Sequence, residues 1–162
     1  MQKAMFAVCL SCLLTSLAVA QTKISGVFKC GKASTEQKIP VGDHPDHFFG
    51  VSQGSCTSTK PWTVAGVASK AGVGTSTMEA NGEVAKTHGV YVDSMENGDR
   101  AIYRVEATVT TKEGQVQVTG HKWQLVEATG KLKGVKGQGT CKASGTADEV
   151  TYECEGEYTL PK

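Results

Sequence analysis

The chain has 162 residues, with 17 basic and 16 acidic side chains and a formal charge of +1. So even a balance excludes the basic footprint of a nucleic-acid binder and the cationic surface that seeks anionic lipid. The 19 glycines run well above the usual share of about 7% and point away from a helical protein.

Residues Met1 to Ala20 read as a secretory signal peptide. Lys3 gives the charged start, Ala4 to Leu17 are mostly apolar, and Ala18-Val19-Ala20 offers a small-residue cleavage site. The run is too short to stay as a membrane-spanning helix. Its removal leaves 142 residues with 16 charges of each sign, a single domain over residues 21–162. Cys9 and Cys12 leave with the leader, and Cys30, Cys56, Cys141 and Cys154 remain. An even number in an exported chain reads as two disulfides, which places the protein in the periplasm or outside the cell. A zinc site is disfavoured, because none of the four has a cysteine or histidine at finger spacing.

Short runs of strand character recur between turn signals, the pattern of a β-sandwich or barrel. In chain order they are Lys23–Cys30, Phe48–Gln53, Trp62–Ser69, Gly74–Glu79, Thr87–Met95, Arg100–Thr110, Gln115–Val126, Lys131–Ala143 and Glu149–Leu160. Asn81-Gly82, Asn97-Gly98 and Lys112-Glu113-Gly114 supply hairpin turns between successive runs. Consecutive hairpins make a meander, and a long meander tends to close rather than leave its edges open. Along Arg100–Thr110, residues Ala101, Tyr103, Val105, Ala107 and Val109 share one face and would point inward. In the next run Val116 and Val118 are even but Trp123 and Leu125 are odd, so a bulge near Gly120 re-aims the strand. No segment has helical periodicity.

The last two runs are the most informative. From Glu149 to Leu160 the even positions are Val150, Tyr152, Cys154, Gly156, Tyr158 and Leu160, while the odd positions are all Glu or Thr. Setting Cys141 opposite Cys154 puts Gly139 against Gly156, Gly137 against Tyr158 and Val135 against Leu160. Lys142, Thr140 and Gln138 then meet Glu153, Glu155 and Glu157. A slip of one residue would mix the two faces, so the register is well specified. It makes Cys141–Cys154 a cross-strand disulfide, and Cys30–Cys56 follows by elimination. The glycines would let a strand coil sharply or let another side chain lie close.

The segment Thr129-Gly130-Lys131-Leu132-Lys133-Gly134-Val135-Lys136-Gly137, preceded by Trp123-Gln124-Leu125-Val126, resembles the glycine-threonine-glycine signature of allene oxide cyclase-like and dirigent-like barrels. It looks most like their small secreted bacterial members of unassigned function. The resemblance implies an eight-stranded antiparallel up-and-down barrel with an interior cavity, often assembled as a homo-oligomer. It carries over no catalytic residue.

Function rests on what such a barrel would enclose. Tyr91, Tyr103, Trp123, Tyr158 and His88 are the candidates for lining an interior pocket, with a small apolar molecule as ligand and no cofactor. An enzyme of the cyclase or isomerase kind would need a polar group such as His88 or Glu106 turned inward. A structural module would act through its outer face. Asp43-His44-Pro45-Asp46-His47 has the chemistry of metal ligands, with His44 and His47 the candidates. Solvated loops of this composition are common, however, and the sequence is read as holding no metal.

Overall fold

The computed structural model describes residues 21–161; the segment read as a signal peptide lies outside them. The strands are β1 (Thr22–Gly31), β2 (Thr35–Pro40), β3 (His47–Lys60), β4 (Thr63–Val64), β5 (Val67–Asn81), β6 (Val84–Met95), β7 (Arg100–Lys112), β8 (Gln115–Ala128), β9 (Lys136–Thr146) and β10 (Glu149–Thr159). A single 3-10 turn, Gly130–Leu132, separates β8 from β9.

Eight of these strands close a ring. Each of β1, β3, β5, β6, β7, β8, β9 and β10 pairs antiparallel with the next, and β10 returns to β1 through ten residue pairs, Thr22↔Tyr158 to Gly31↔Glu149. The up-and-down meander expected from the hairpin signals is therefore closed, and all of its ladders are antiparallel. β2 lies outside the ring. It pairs with the first half of β3, while β1 pairs with the second half through only Val27, Phe28, Lys29 and Cys30.

The tail hairpin has the expected register. Cys141 faces Cys154, Gly139 faces Gly156, Gly137 faces Tyr158, and Lys142 faces Glu153. The disulfides are Cys141–Cys154 and Cys30–Cys56, each joining directly opposed residues of neighbouring strands. The bulge near Gly120 is also present: the β8–β9 register shifts between Val118 and His121, and Gly120 takes the left-handed conformation at φ +60.

Four expectations need correction. The run Lys131–Ala143 is not one strand, because Gly130–Leu132 forms the turn and pairing starts at Lys136, so Val135 and Leu160 fall outside the ladder. Leu132 is fully buried, and that burial draws the turn into the barrel end. Trp62–Ser69 is instead a miniature hairpin, Thr63–Val64 against Val67–Ala68, turning at Ala65-Gly66 with both residues at positive φ. β3 and β5 run longer than read, since their small and polar residues hide the alternation. β2 was not foreseen: all six of its residues are exposed, so no apolar alternation marks it.

The two ends of the barrel differ. At one end the longer connections fold over the opening, burying Trp62, Val64, Val67, Met95, Leu132 and Val135. Asp99 ties this cap together, accepting from Asn97 Nδ2 at 2.8 Å and from the Lys131 backbone N–H at 2.9 Å. At the other end the turns at 82–83, 113–114 and 147–148 have two residues each, too short to lie across a barrel.

The glycines of β9 and β10 admit one large ring. A Cβ at either Gly139 or Gly156 would overlap the Trp123 indole and a neighbouring carbonyl. Trp123, more than Tyr158, is thus the side chain those glycines accommodate. We expect Gly139→Ala to destabilise the fold by about 1–3 kcal/mol in urea unfolding, while Gly31→Ala, with open space around the new methyl, leaves the midpoint nearly unchanged. Replacing both Cys30 and Cys56 by alanine opens a 26-residue link across the shortest ladder of the ring; a loss of about 3 kcal/mol is expected in the same assay.

Candidate functional site

Alternation along the strands turns one residue in two inward, and all eight ring strands contribute to a half-enclosed cavity of about 240 Å³. Its deep part is aromatic. Phe28 and Trp62 meet edge to face at 4.9 Å, Trp62 lies 5.1 Å from Trp123 and 5.3 Å from Tyr103, and Tyr91 lies 6.1 Å from Phe28. Both disulfides form part of the wall, with Val105, Ala107 and Val109 of β7 facing them and Tyr152 and His121 completing it.

The polar atoms of this wall are the notable feature. Tyr91 Oη, Tyr103 Oη, Trp123 Nε1 and His121 Nδ1 are all buried without a hydrogen-bond partner in the protein. Buried donors and acceptors are nearly always paired, and each one left alone costs about 1–3 kcal/mol. Burial holds both tyrosine hydroxyls well above their ordinary range, with the nearby Asp93 adding to the effect. Burial pushes His121 down, so its imidazole is neutral at neutral pH. Its ring stands edge-on to Tyr152 at 5.7 Å.

Beneath the aromatic floor lies Asp93, fully buried. Trp62 Nε1 donates to its Oδ2 at 3.0 Å, and its Oδ1 has no partner. Loss of hydration raises this carboxyl to about 7, and the Trp62 hydrogen bond only partly opposes the shift. Among the described residues no lysine or arginine lines the cavity. Glu106 belongs to the wall by position, but its exposed side chain pairs outside with Lys122 at 3.5 Å.

Three of the five residues proposed from sequence, Tyr91, Tyr103 and Trp123, are brought together here. Tyr158 is buried but does not line the cavity. Its register beside Gly137 sets it beyond the layer filled by Trp123, toward the capped end. His88 is exposed on the outer face of β6, opposite Glu106 of β7, because inward positions on β6 are odd-numbered. His88 therefore does not reach the cavity. Asp93 and His121 are the site residues that sequence reasoning passed over. Each shares the inward parity of an aromatic neighbour, Tyr91 and Trp123 respectively, and that parity was the available signal.

The Asp43–His47 loop lies at the uncapped end. Asp43, His44 and His47 each offer a ligand atom within 4.8 Å of the others. His47 is already held between two carboxylates, with Nδ1 at 2.8 Å from Asp43 Oδ2 and Nε2 at 3.3 Å from Glu79 Oε1. The hydrogen bond with Asp43 chiefly raises the His47 pKa and lowers that of Asp43. His44 stacks on the His47 ring at 5.2 Å. These contacts give the two histidines a role in fixing the loop.

No protein-family model and no curated protein matches the sequence. Solved structures do match in fold. A conserved protein of unknown function from Rhodopseudomonas palustris superposes with a TM-score of 0.53 at 9% identity, over 85% of this chain and 98% of that one. A protein of unknown function from the DUF3224 family of Shewanella oneidensis MR-1 superposes with a TM-score of 0.50 at 17% identity, over 88% of this chain and 100% of that one. These similarities support the barrel and name no cyclase. The two disulfides point to an oxidising, extracytoplasmic setting.

Asp93 makes stability depend on pH. Its folded-state value near 7 lies above the ordinary 3.8, so the folded chain keeps a proton that the unfolded chain releases. The stability present below about pH 4 is therefore lost as pH rises toward 7, by up to about 4 kcal/mol. Thermal unfolding should show the melting temperature of the wild type falling between pH 4 and 8, and Asp93→Asn flattening that slope. Parallel slopes in the two proteins would contradict the assignment.

Proposed function

We propose that this protein is an exported binding barrel that takes a small, largely apolar molecule into its interior, without catalysis of its own. The observation that carries the reading is a half-enclosed hollow of about 240 Å³ with aromatic walls, reached by all eight ring strands. A barrel built only for stability would fill that space with side chains. An apolar lining with a few convergent polar groups is the usual composition of a small-molecule site. Export is supported by the leader-like Met1–Ala20 and by the two disulfides. Likeness to allene oxide cyclase-like and dirigent-like barrels accords with an interior site, while the outward orientation of His88 and Glu106 favours binding over turnover.

Trp62 and Trp123 are the chain's only tryptophans, and both line the cavity. Intrinsic fluorescence therefore reports directly on its contents. Titration with a panel of lipids and small aromatic compounds should quench or shift the emission saturably for at least one class. Native mass spectrometry should show one molecule per chain. Ala107→Phe, which fills the cavity from β7, should abolish the response while leaving the circular dichroism unchanged. A response that survives Ala107→Phe would place binding elsewhere.

A further inference from the structure

We propose that the loop joining β2 to β3 is a site for a divalent transition-metal ion such as zinc, with Asp43, His44 and His47 as ligands and Glu79 of β5 backing His47. The site is separate from the barrel interior and does not rest on the interior-binding reading. In sequence the loop offers composition alone; the structure adds geometry. Gly42 turns the chain at φ +92, and the His47 backbone N–H donates to the His44 carbonyl at 3.3 Å. The turn gathers one ligand atom each from Asp43, His44 and His47 within 4.8 Å of one another. Zinc holds nitrogen and oxygen at about 2.0–2.2 Å, so the atoms around one ion stand ~3–4 Å apart. Asp43 Oδ2 lies 2.8 Å from His47 Nδ1 and 4.0 Å from His44 Nε2, within side-chain adjustment of that spacing. The carboxylate is also aimed in advance, because its Oδ1 accepts from the His44 backbone N–H at 2.9 Å.

Glu79 supplies the second argument. It comes from another strand, opposite Phe49 in the β3–β5 register, and its Oε1 lies 3.3 Å from His47 Nε2. A ligating histidine commonly donates its remote N–H to a carboxylate in this way, which fixes the tautomer. A neutral imidazole has one N–H. With that proton given to Glu79, Nδ1 turns its lone pair onto Asp43 at 2.8 Å, and two acceptors that close require a cation between them. Among the described residues no lysine or arginine pairs with Asp43 or Glu79, although Lys86 stands opposite Glu79 in register. The two carboxylates therefore bring two negative charges that a divalent ion cancels. Imidazole suits zinc, copper and nickel, whereas calcium and magnesium prefer an all-oxygen shell. Asp43 and His44 are half-exposed, so the ion keeps an open side for water or for a donor from another molecule.

Isothermal titration calorimetry with zinc at pH 7.5, in a buffer that does not bind metal, tests the site. One zinc per chain is expected, with calcium and magnesium in large excess failing to displace it. His44→Ala and His47→Ala should each weaken binding at least tenfold, and Glu79→Gln severalfold. His88→Ala, on the outer face of β6, should leave it unchanged, and circular dichroism should show all four variants folded. Wild-type affinity in any of the first three overturns the assignment, as does displacement by calcium. Absence of zinc binding also overturns it, and leaves a proton on His47 as the cation shared by Asp43 and Glu79.

Discussion

A single tryptophan ring lying against bare backbone is the contact on which this barrel depends. Trp123 projects from β8 across the Gly139↔Gly156 pair of β9 and β10, where any side chain would collide with it. Three consecutive strands can curl tightly there because the indole supplies the volume that their own side chains give up. The bulge at Gly120 resets the phase of β8 so that Trp123 points inward. Trp123 then contacts Trp62 and Tyr103, which brings the capping segment and β7 onto the same cluster. The aromatic floor, the capped end and the closed ring are thus consequences of one packing choice.

That choice also explains why the interior is divided. Below Trp123 the layers are filled by Leu125, Tyr158, Val135 and Leu132, all buried and well packed. Above it the inward residues of β5, β7 and β9 shrink to glycine, serine, alanine, valine and cysteine, too small to meet across a barrel of eight strands. Space is left where side chains are short. Electrostatics reinforces the division, since burial moves the Asp93 titration up to about 7 and keeps His121 and both tyrosines uncharged at neutral pH.

Much of this architecture was readable in advance, and for physical reasons. The alternation of Glu149–Leu160 fixed its partner's register, because only one alignment keeps glutamates off the apolar face. The hairpin turns were legible from Asn-Gly and Glu-Gly chemistry, and closure followed from an unbroken meander. What escaped was whatever depends on solvent-facing or tertiary context. β2 exists because β3 offers a free edge, and its own residues carry no pattern. The Gly130–Leu132 turn is helical because Leu132 drops into the barrel end and Asp99 caps it, neither of which a run of glycines announces. At the site, the alternation read along Arg100–Thr110 matches the inward position of Tyr103 in the barrel. His88 falls on the outward parity of β6, opposite Glu106 of β7.

The ladder between the first and last strands has a further implication. Thr22 lies opposite Tyr158, so the two ends of the described chain emerge side by side at the capped end, remote from the two-residue turns. A short peptide joining them would cross little distance, and the chain could be cut anew at Glu113-Gly114 with every ring ladder retained. The ring of ladders thus does not need the present ends to be where they are. A circularly permuted version would carry its new ends beside the cavity, where a tethered reporter could sense what enters.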